Sequence, residues 1–259
     1  MSVLNVIITV IIVVLILQIL KYYFADSNLL QDITNAKTAS TISAKSLAKS
    51  GSSANFTYST WFYINDWNYR YGEIKQIIGR MHGTSTNKDC TTGLIGCGPC
   101  PVIALDKSEN NILVLLTCSD SGTAYVPPAA TAECSNCTTP AKSIPQICTV
   151  ENIPIQKWVN LIVSVYGRTL DIYLDGKLVK TQLLPGVPII NSDADIYVTP
   201  DAGFDGWTAK IQYFPNSFSP QDAWNIYSKG YAGWTNIFNS YQVQLALMEN
   251  GNVQTSVTI

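Results

Sequence analysis

The sequence contains few charged residues. Asp, Glu, Lys and Arg make up only 13% of its 259 residues, and the formal net charge at pH 7 is −2. A nucleic-acid-binding domain needs a concentrated basic surface. This composition does not supply one, so we expect no nucleic-acid partner. Ser, Thr, Asn, Gln and Tyr must cover much of the surface, which suits close contact with proteins or sugars.

The groups that carry hydrolytic catalysis are also scarce. The single histidine, His82, lies in a glycine-flanked loop, and no nucleophile elbow is found near it. Glycosidases hold two carboxylates about 5 to 9 Å apart, and the few glutamates do not suggest such a pair. They are Glu73, Glu109, Glu133, Glu151 and Glu249. We therefore expect no enzymatic activity, no catalytic residue and no cofactor.

Cysteine is absent outside one window of the chain. The members are Cys90, Cys97, Cys100, Cys118, Cys134, Cys137 and Cys148. Two Cys-x-x-Cys pairs, Cys97/Cys100 and Cys134/Cys137, have the spacing of a four-thiolate zinc site. The alternative is disulfide bonds that hold two long loops, residues 81–101 and 118–153, because loops with little apolar content need covalent constraint. We favour disulfides and keep zinc as the alternative.

One long apolar run is present near the N-terminus. As a helix, Val3–Leu20 would be about 27 Å long, close to the thickness of a bilayer core of roughly 30 Å. Lys21 and the aromatic residues Tyr22, Tyr23 and Phe24 follow it and suit a membrane interface. No basic residue precedes the run, which disfavours a cleaved signal peptide. The sequence thus predicts a transmembrane anchor in residues 1–24, with the lipid bilayer as partner.

Residues 25–53 are rich in Ser, Thr, Ala and Lys, which is typical of a stalk that separates a folded domain from a membrane. Beyond the stalk, period-2 alternation begins. The stretch Lys157–Thr181 contains three alternating runs, and period 2 indicates strands that bury one side. Asp175-Gly176 separates the second run from the third and predicts a tight hairpin. This antiparallel meander indicates an all-β sandwich, with Trp61 and Trp158 assigned to its core.

A short helix is predicted late in this domain. Ser219 has the character of an N-cap, Pro220 suits the first helical position, and the helix is expected to end at Ser228, before Lys229-Gly230. After it, residues 231–259 contain a second hairpin signal, because Asn250-Gly251 separates two alternating runs. An isolated hairpin is barely stable in water, so we expect this one, Ser240–Ile259, to dock on something.

Several motifs together carry a resemblance to a known family. They are the Trp61 strand Tyr58–Phe62, the strand Gln76–Arg80, the segment Lys157–Leu161, the hairpin Leu170–Gly176, the segment Phe204–Trp207 and the helix start Phe218–Gln221. Residues 54–230 resemble laminin-G-like domains of the concanavalin A-like lectin/glucanase superfamily. The resemblance implies an antiparallel jelly-roll sandwich with one short helix. The Glu-x-Asp-x-x-Glu motif of the glucanase branch is absent.

The resemblance also suggests ligands. Some family members bind calcium through loop carboxylates, for which Asp193, Asp195, Asp201 and Asp205 are the candidates, although ordinary turn chemistry explains them better. Glycan binding needs exposed aromatic side chains. The candidates are Trp67, Tyr69, Tyr71, Trp207, Tyr231 and Trp234.

Anchor, stalk and sandwich together also resemble membrane-anchored minor capsid proteins of large icosahedral DNA viruses. We therefore expect a non-enzymatic structural protein of the virion that links a membrane to the capsid shell. It would contact neighbouring proteins through the sandwich loops and the C-terminal hairpin. The alternative is a membrane-anchored, glycan-binding, lectin-like protein of a cell-surface or secretory membrane.

Overall fold

The structure is a computed structural model. It describes residues 27–47, 55–81, 99–119, 143–190, 192–231, 244–249 and 252–258, together with Ile8, Ile12, Leu15 and Ile16. Residues Asn28–Tyr231 form one compact unit, and the C-terminal strands belong to a second one.

Strands dominate the described residues. The first group is β1 (Leu29–Gln31), β2 (Thr34–Asn35), β3 (Ser40–Ile42), β4 (Phe56–Asp66), β5 (Lys75–Arg80), β6 (Val102–Leu105), β7 (Ile112–Ser119) and β8 (Ser143–Val150). The second group is β9 (Trp158–Tyr166), β10 (Thr169–Leu174), β11 (Lys177–Leu183), β12 (Ile196–Val198), β13 (Asp205–Phe214), β14 (Gln244–Glu249) and β15 (Asn252–Thr258). An α-helix, α1 (Pro220–Ser228), follows β13, and a short 3-10 helix covers Ala44–Ser46.

The strands form two antiparallel sheets in the larger unit. One sheet has seven strands in the order β1-β13-β4-β9-β10-β11, with β2 also paired to β13. The other has six strands in the order β3-β12-β5-β6-β7-β8. The predicted all-β architecture, with two antiparallel sheets and a short helix, is confirmed.

The core lies between the inner faces of the sheets, as period 2 requires. On β4, for example, Phe56, Tyr58 and Phe62 belong to the main buried cluster. Residues of the opposite sheet, such as Ile103 and Val114, complete it. Residues between these positions on β4 therefore point to the outer face of the seven-stranded sheet.

The meander predicted at Lys157–Thr181 is confirmed by the pairing of β9 with β10 and of β10 with β11. Asp175 and Gly176 both have positive φ, 48° and 72°. That is the backbone conformation of a type I′ hairpin turn, which explains why Asp-Gly was informative in the sequence.

Helix α1 covers part of the outer face of the seven-stranded sheet. Its buried residues Ala223 and Ile226 pack with Ile162 of β9 and Tyr173 of β10. The helix begins with a capping box between Ser219 and Asp222 and has Pro220 in its first turn. The predicted helix bounds are therefore confirmed, because local capping chemistry decides them.

Strands β1 to β3 lie in the stretch that the sequence assigned to a stalk. β1 and β2 pair with β13, and β3 pairs with β12, so this segment lies at one edge of both sheets. Ala36 and Leu47 are buried in the main core. Residues 29–47 are thus part of the sandwich rather than a spacer. Their strands are too short to show an alternating pattern.

The predicted transmembrane run 3–20 lies outside the described residues, apart from helical Ile8, Ile12, Leu15 and Ile16. A helical span needs about 20 apolar residues. In the described part of the chain, no helix is long and apolar enough to cross a bilayer. The prediction of a single-pass membrane protein, whether in a virion or at a cell-surface or secretory membrane, is therefore wrong.

Strand β8 lies in the stretch predicted as the cysteine-rich loop 118–153 and forms an edge of its sheet. Pro145 is tolerated there because an edge strand has one unpaired side.

The C-terminal hairpin is present as the pair β14 and β15. Its predicted turn, Asn250-Gly251, lies outside the described residues.

Candidate binding surface

Three aromatic residues form a row across the outer face of the seven-stranded sheet. Trp207 of β13 lies opposite Tyr63 of β4, and Tyr63 lies opposite Trp158 of β9. Directly opposed residues of antiparallel strands share a face. The neighbours of Tyr63 and Trp158 along their strands, such as Phe62 and Val159, point into the core. The row therefore faces away from the core.

The row continues toward helix α1 through stacked rings. Trp158 stacks on Tyr231 with ring centroids 4.3 Å apart, and the rings of Tyr231 and Trp61 lie 6.0 Å apart. Trp61 in turn stacks on Tyr227 at 5.6 Å, and Tyr227 contacts Trp224 at 5.5 Å. We call this set the aromatic strip. Its members are Trp207, Tyr63, Trp158, Tyr231, Trp61, Tyr227 and Trp224.

The two ends of the aromatic strip are the most accessible. Trp207 is 44% exposed and Trp224 is 47% exposed. Tyr63, Trp158, Tyr227 and Tyr231 are half-buried, and Trp61 is buried. The inner rings cover one another by stacking, so the faces most open to a ligand are those of Trp207 and Trp224 at the two ends. Such amphipathic rings are typical of recognition surfaces.

A groove lies at the Trp224 end of the strip. It has a volume of about 380 Å³ and runs between helix α1 and the β10–β11 hairpin. Its lining residues are Pro154, Val159, Leu174, Asp175, Lys177, Val179, Trp224 and Tyr227. We call it the Trp224 groove. The walls are mostly apolar, and the charged groups come from the hairpin turn, which is the composition expected of a small-ligand site.

Asp175 has a defined role in this turn. Its carboxylate accepts a hydrogen bond from the Asn160 backbone N–H at 3.0 Å and forms an ion pair with Lys157 at 3.3 Å. In the part of the chain that the structure describes, Lys177 has no ion-pair partner. The turn thus presents one engaged carboxylate and one ammonium group without a counter-ion.

Polar atoms near the strip also lack protein partners. The indole nitrogen of Trp61 and the side-chain oxygen of Asn160 are buried and have no hydrogen-bond partner among the described residues. These two residues lie opposite each other on β4 and β9. Buried polar groups are nearly always satisfied in folded proteins. Because both atoms are inaccessible from the surface, a buried water is the expected partner.

A second, more polar groove lies at the other end of helix α1. Its volume is about 410 Å³, and it is lined by Ser164, Tyr166, Thr169, Asp171, Ser217, Phe218, Ser219 and Asp222. Most of its polar groups already have partners. Asp171 accepts a hydrogen bond from Thr181 at 2.6 Å, and Ser164 accepts one from the backbone N–H of Phe218 at 2.8 Å. Asp222 belongs to the helix cap. This groove is therefore explained by local structure.

The predicted glycan contacts on the loop after β4 are arranged differently from the strip. Lys75 lies over the ring of Trp67 at 4.8 Å, and Lys37 lies over the ring of Tyr69 at 4.6 Å. A ring face that holds an ammonium group in a cation–π contact is not available for a sugar. Tyr71 is 62% exposed.

Of the remaining predicted aromatic contacts, Trp207 and Tyr231 are part of the aromatic strip, and Trp234 lies outside the described residues. Sequence reasoning missed the strip because it assigned Trp61 and Trp158 to the core. Trp61 is buried, as the core assignment predicted, but it lies with half-buried Trp158 on the outer face of the sheet and outside the main buried cluster. The signal that pointed to this was the alternation itself, since Trp61 and Tyr63 oppose Phe62 on β4.

The carboxylates considered for calcium do not converge. Asp195 accepts a hydrogen bond from the Ala44 backbone N–H at 2.8 Å, Asp201 pairs with Arg70 at 2.9 Å, and Asp205 pairs with Lys37 at 2.7 Å. Asp193 lies exposed before β12. The hydrogen bond from Lys37, joined by one from Asn65, holds the pKa of Asp205 below its usual value. Among the described residues, no three metal-ligating side chains are grouped to hold an ion.

Three of the seven cysteines lie within the described residues. Cys100, Cys118 and Cys148 are buried free thiols rather than the predicted disulfide partners. Burial raises the pKa of all three thiols, which keeps them protonated and unreactive. The other disulfide candidates, Cys90, Cys97, Cys134 and Cys137, lie outside this part of the chain, as do three members of the alternative zinc set and His82.

Comparisons with known proteins identify related folds. No protein-family model matches the chain, and no curated protein matches it. Among solved structures, the ligand-binding domain of botulinum neurotoxin serotype D in complex with N-acetylneuraminic acid superposes with a TM-score of 0.51 and 14% identity, over 78% of this chain and 43% of that one. The receptor-binding domain of botulinum neurotoxin D gives 0.50 and 13%, over 77% and 44%.

These similarities concern the fold. The chain corresponds to less than half the length of either neurotoxin domain, and identity this low carries no residue roles across. The shared architecture is a lectin-like β-sandwich, which agrees with the superfamily resemblance at the level of two packed antiparallel sheets. The comparisons give no support to similarity with capsid proteins.

Proposed function

We propose that this chain is a non-enzymatic, lectin-like binding protein that recognises a glycan on the outer face of its seven-stranded sheet. The observation that carries the proposal is the aromatic strip. A pyranose ring has an apolar C–H face that packs against an aromatic ring, and hydroxyl groups at its edge that need hydrogen-bond partners. The strip supplies the half-exposed rings of Trp207 and Trp224, and the phenol groups of its tyrosines can both donate and accept hydrogen bonds.

The comparisons support this proposal over a capsid linker. One solved structure of similar fold is a ligand-binding domain in complex with N-acetylneuraminic acid. The fold we assign is a concanavalin A-like jelly roll, the arrangement that the sequence motifs resemble. The capsid role lacks such support, because none of the comparisons shows similarity to a capsid protein.

We also propose that the protein is not a hydrolase. Glycoside hydrolysis needs two carboxylates that flank the scissile bond. At the Trp224 groove the lining contains one carboxylate, Asp175, and it is engaged with Lys157 and the Asn160 backbone. A glycan bound there would therefore lack the general acid and the nucleophile that hydrolysis requires.

The test is a glycan array probed with the full-length protein, followed by titration calorimetry of the best ligands and of N-acetylneuraminic acid. Variants Trp207→Ala and Trp224→Ala each remove one exposed ring of the strip. We expect each to weaken binding by about three- to tenfold, because one aromatic contact is worth roughly 0.5–1.5 kcal/mol beyond its area.

The matched control is Tyr71→Ala, which removes an exposed ring from the loop after β4. It should leave affinity unchanged. An array without any bound glycan would refute the proposal. So would bound glycans whose affinity falls with Tyr71→Ala but not with either tryptophan variant.

A further inference from the structure

We propose that the Trp224 groove binds an anionic sugar residue, one that carries a carboxylate or a sulfate, and that Lys177 recognises its charge. This inference rests on the proposed glycan-binding function and names the ligand class and the place on the strip where it binds. It follows from the shape of the groove, the charge balance of the hairpin turn and the exposed indole of Trp224.

One wall of the groove is held in place by tight packing, and the rest of its surface is mostly apolar. The turn of the β10–β11 hairpin lies directly against helix α1, so that a Cβ added at Gly176 would lie 3.0 Å from the Cβ of Tyr227 and 3.1 Å from a ring carbon of Trp224. This close approach fixes the turn relative to the two rings. Val179 of β11, 46% exposed, and Pro154 extend the apolar surface. The opening therefore suits the apolar face of one sugar ring.

The charges at the mouth of the groove do not cancel. Lys157 and Asp175 neutralise each other in their 3.3 Å ion pair. Lys177, at the start of β11, has no counter-ion among the described residues, although it lines the same groove. One net positive charge thus remains at the edge of the apolar walls. An anionic ligand would neutralise the charge of Lys177.

The exposed side chains of the groove fit a sugar ring that carries a charge. Trp224 and Lys177 both line the groove and are both exposed. The indole of Trp224 offers a flat apolar face, and the ammonium group of Lys177 offers a charged hydrogen-bond donor. An acidic sugar has both an apolar ring face and an anionic group.

The experiment uses two copies of an array that carries neutral, carboxylated and sulfated glycans. In one copy the carboxylates are converted to methyl esters, which removes the charge and keeps the ring. We expect the full-length protein to favour anionic glycans. If carboxylates are the ligands, esterification should lower binding about tenfold, as expected for loss of one charge-assisted hydrogen bond. A signal on sulfated glycans that esterification leaves unchanged would assign the charge to sulfate.

Lys177→Gln should remove the preference for anionic over neutral glycans, and salt should weaken wild-type binding because the attraction is electrostatic. Lys107→Gln is the matched control. Lys107 is exposed on a turn of the six-stranded sheet, so its loss should change nothing.

The two proposals fail in different ways. Neutral glycans bound as well as charged ones, or an anionic preference that survives in Lys177→Gln, would overturn the anionic-sugar inference and leave glycan binding in place. An array without any signal would overturn glycan binding itself.

Discussion

At the residue scale, the loop between β12 and β13 shows how the backbone is constrained near the strip. Thr199, Asp201 and Ala202 all have positive φ, between 43° and 57°. Such conformations cost of order 1–3 kcal/mol each for residues with a side chain. Arg70 holds the loop in place through its ion pair with Asp201 and hydrogen bonds to backbone oxygens, including that of Gly203. The loop leads directly into β13, the strand that carries Trp207.

Gly203→Ala tests this constraint. Gly203 has a φ of 39°, and an added Cβ would lie 2.1 Å from the Ala36 carbonyl oxygen. We expect the free energy of unfolding to fall by about 2–4 kcal/mol, because left-handed strain and a backbone clash act together. The measurement is urea denaturation followed by circular dichroism.

Gly167→Ala is the matched control. Gly167 also has a positive φ, 56°, but an added Cβ there would meet nothing within 4 Å. Gly167→Ala should lower the free energy of unfolding only through the left-handed strain, by about 1–2 kcal/mol. Equal losses for the two variants would show that the contact with Ala36 is not what requires glycine at position 203.

At the element scale, helix α1 sets the position of Trp224 and Tyr227. Its first turn depends on the capping box, in which the Ser219 hydroxyl accepts a hydrogen bond from the Asp222 N–H at 3.3 Å, while the Asp222 carboxylate accepts hydrogen bonds from the hydroxyl and the N–H of Ser219. These bonds hold the pKa of Asp222 below its usual value. Because these contacts are local in sequence, the bounds of this element could be predicted.

Ser219→Ala should lower the free energy of unfolding by about 1 kcal/mol at pH 7, the usual value for an N-cap. The pKa of Asp222 is depressed in the folded state, so its contribution is present above the unfolded pKa and is lost as pH falls through the folded value. The difference between wild type and variant should therefore narrow below about pH 4. Urea denaturation at pH 7 and pH 2.5 measures it.

Ser228→Ala, in the last turn of the same helix, is the control. Its hydroxyl donates to the Asn225 carbonyl at 3.1 Å and takes no part in the cap. We expect only a small loss that does not depend on pH. A Ser219→Ala penalty of the same size at both pH values would contradict the role of the Asp222 carboxylate.

Elements differ in how far the sequence could predict them. The β9–β11 meander was predictable because its strands are six to nine residues long and its turn residues need positive φ. Strands β1 to β3 were not, because each has two or three residues and exists only through pairing with β12 or β13, far away in sequence. The sequence therefore suggested a stalk where the structure has edge strands.

At the scale of the whole molecule, Asn28–Tyr231 is one compact unit. A fragment of residues 28–231 keeps β1 to β13 and helix α1. We expect it to unfold in a single cooperative transition and to keep the glycan affinity of the full chain. Thermal denaturation and calorimetry with the best array ligand are the measurements.

A shorter fragment, residues 55–231, is the comparison. It loses β1 to β3 and with them the buried side chains of Ala36 and Leu47. We expect it to be less stable than 28–231 by at least about 3 kcal/mol, since removal of a single buried leucine side chain already costs 2–5 kcal/mol. Equal stability of the two fragments would restore the stalk interpretation of this segment.

The sequence by itself determined that the protein is an antiparallel β-sandwich with a short capped helix, because alternation, turn residues and caps act over a few neighbouring positions. It also identified Trp207 as a binding candidate. Only the tertiary structure decided which aromatic side chains share a surface. Trp61, Trp158 and Trp224 come from three distant segments, and strand register and helix docking bring them together. Those contacts form between residues far apart in the chain, and no local pattern encodes them.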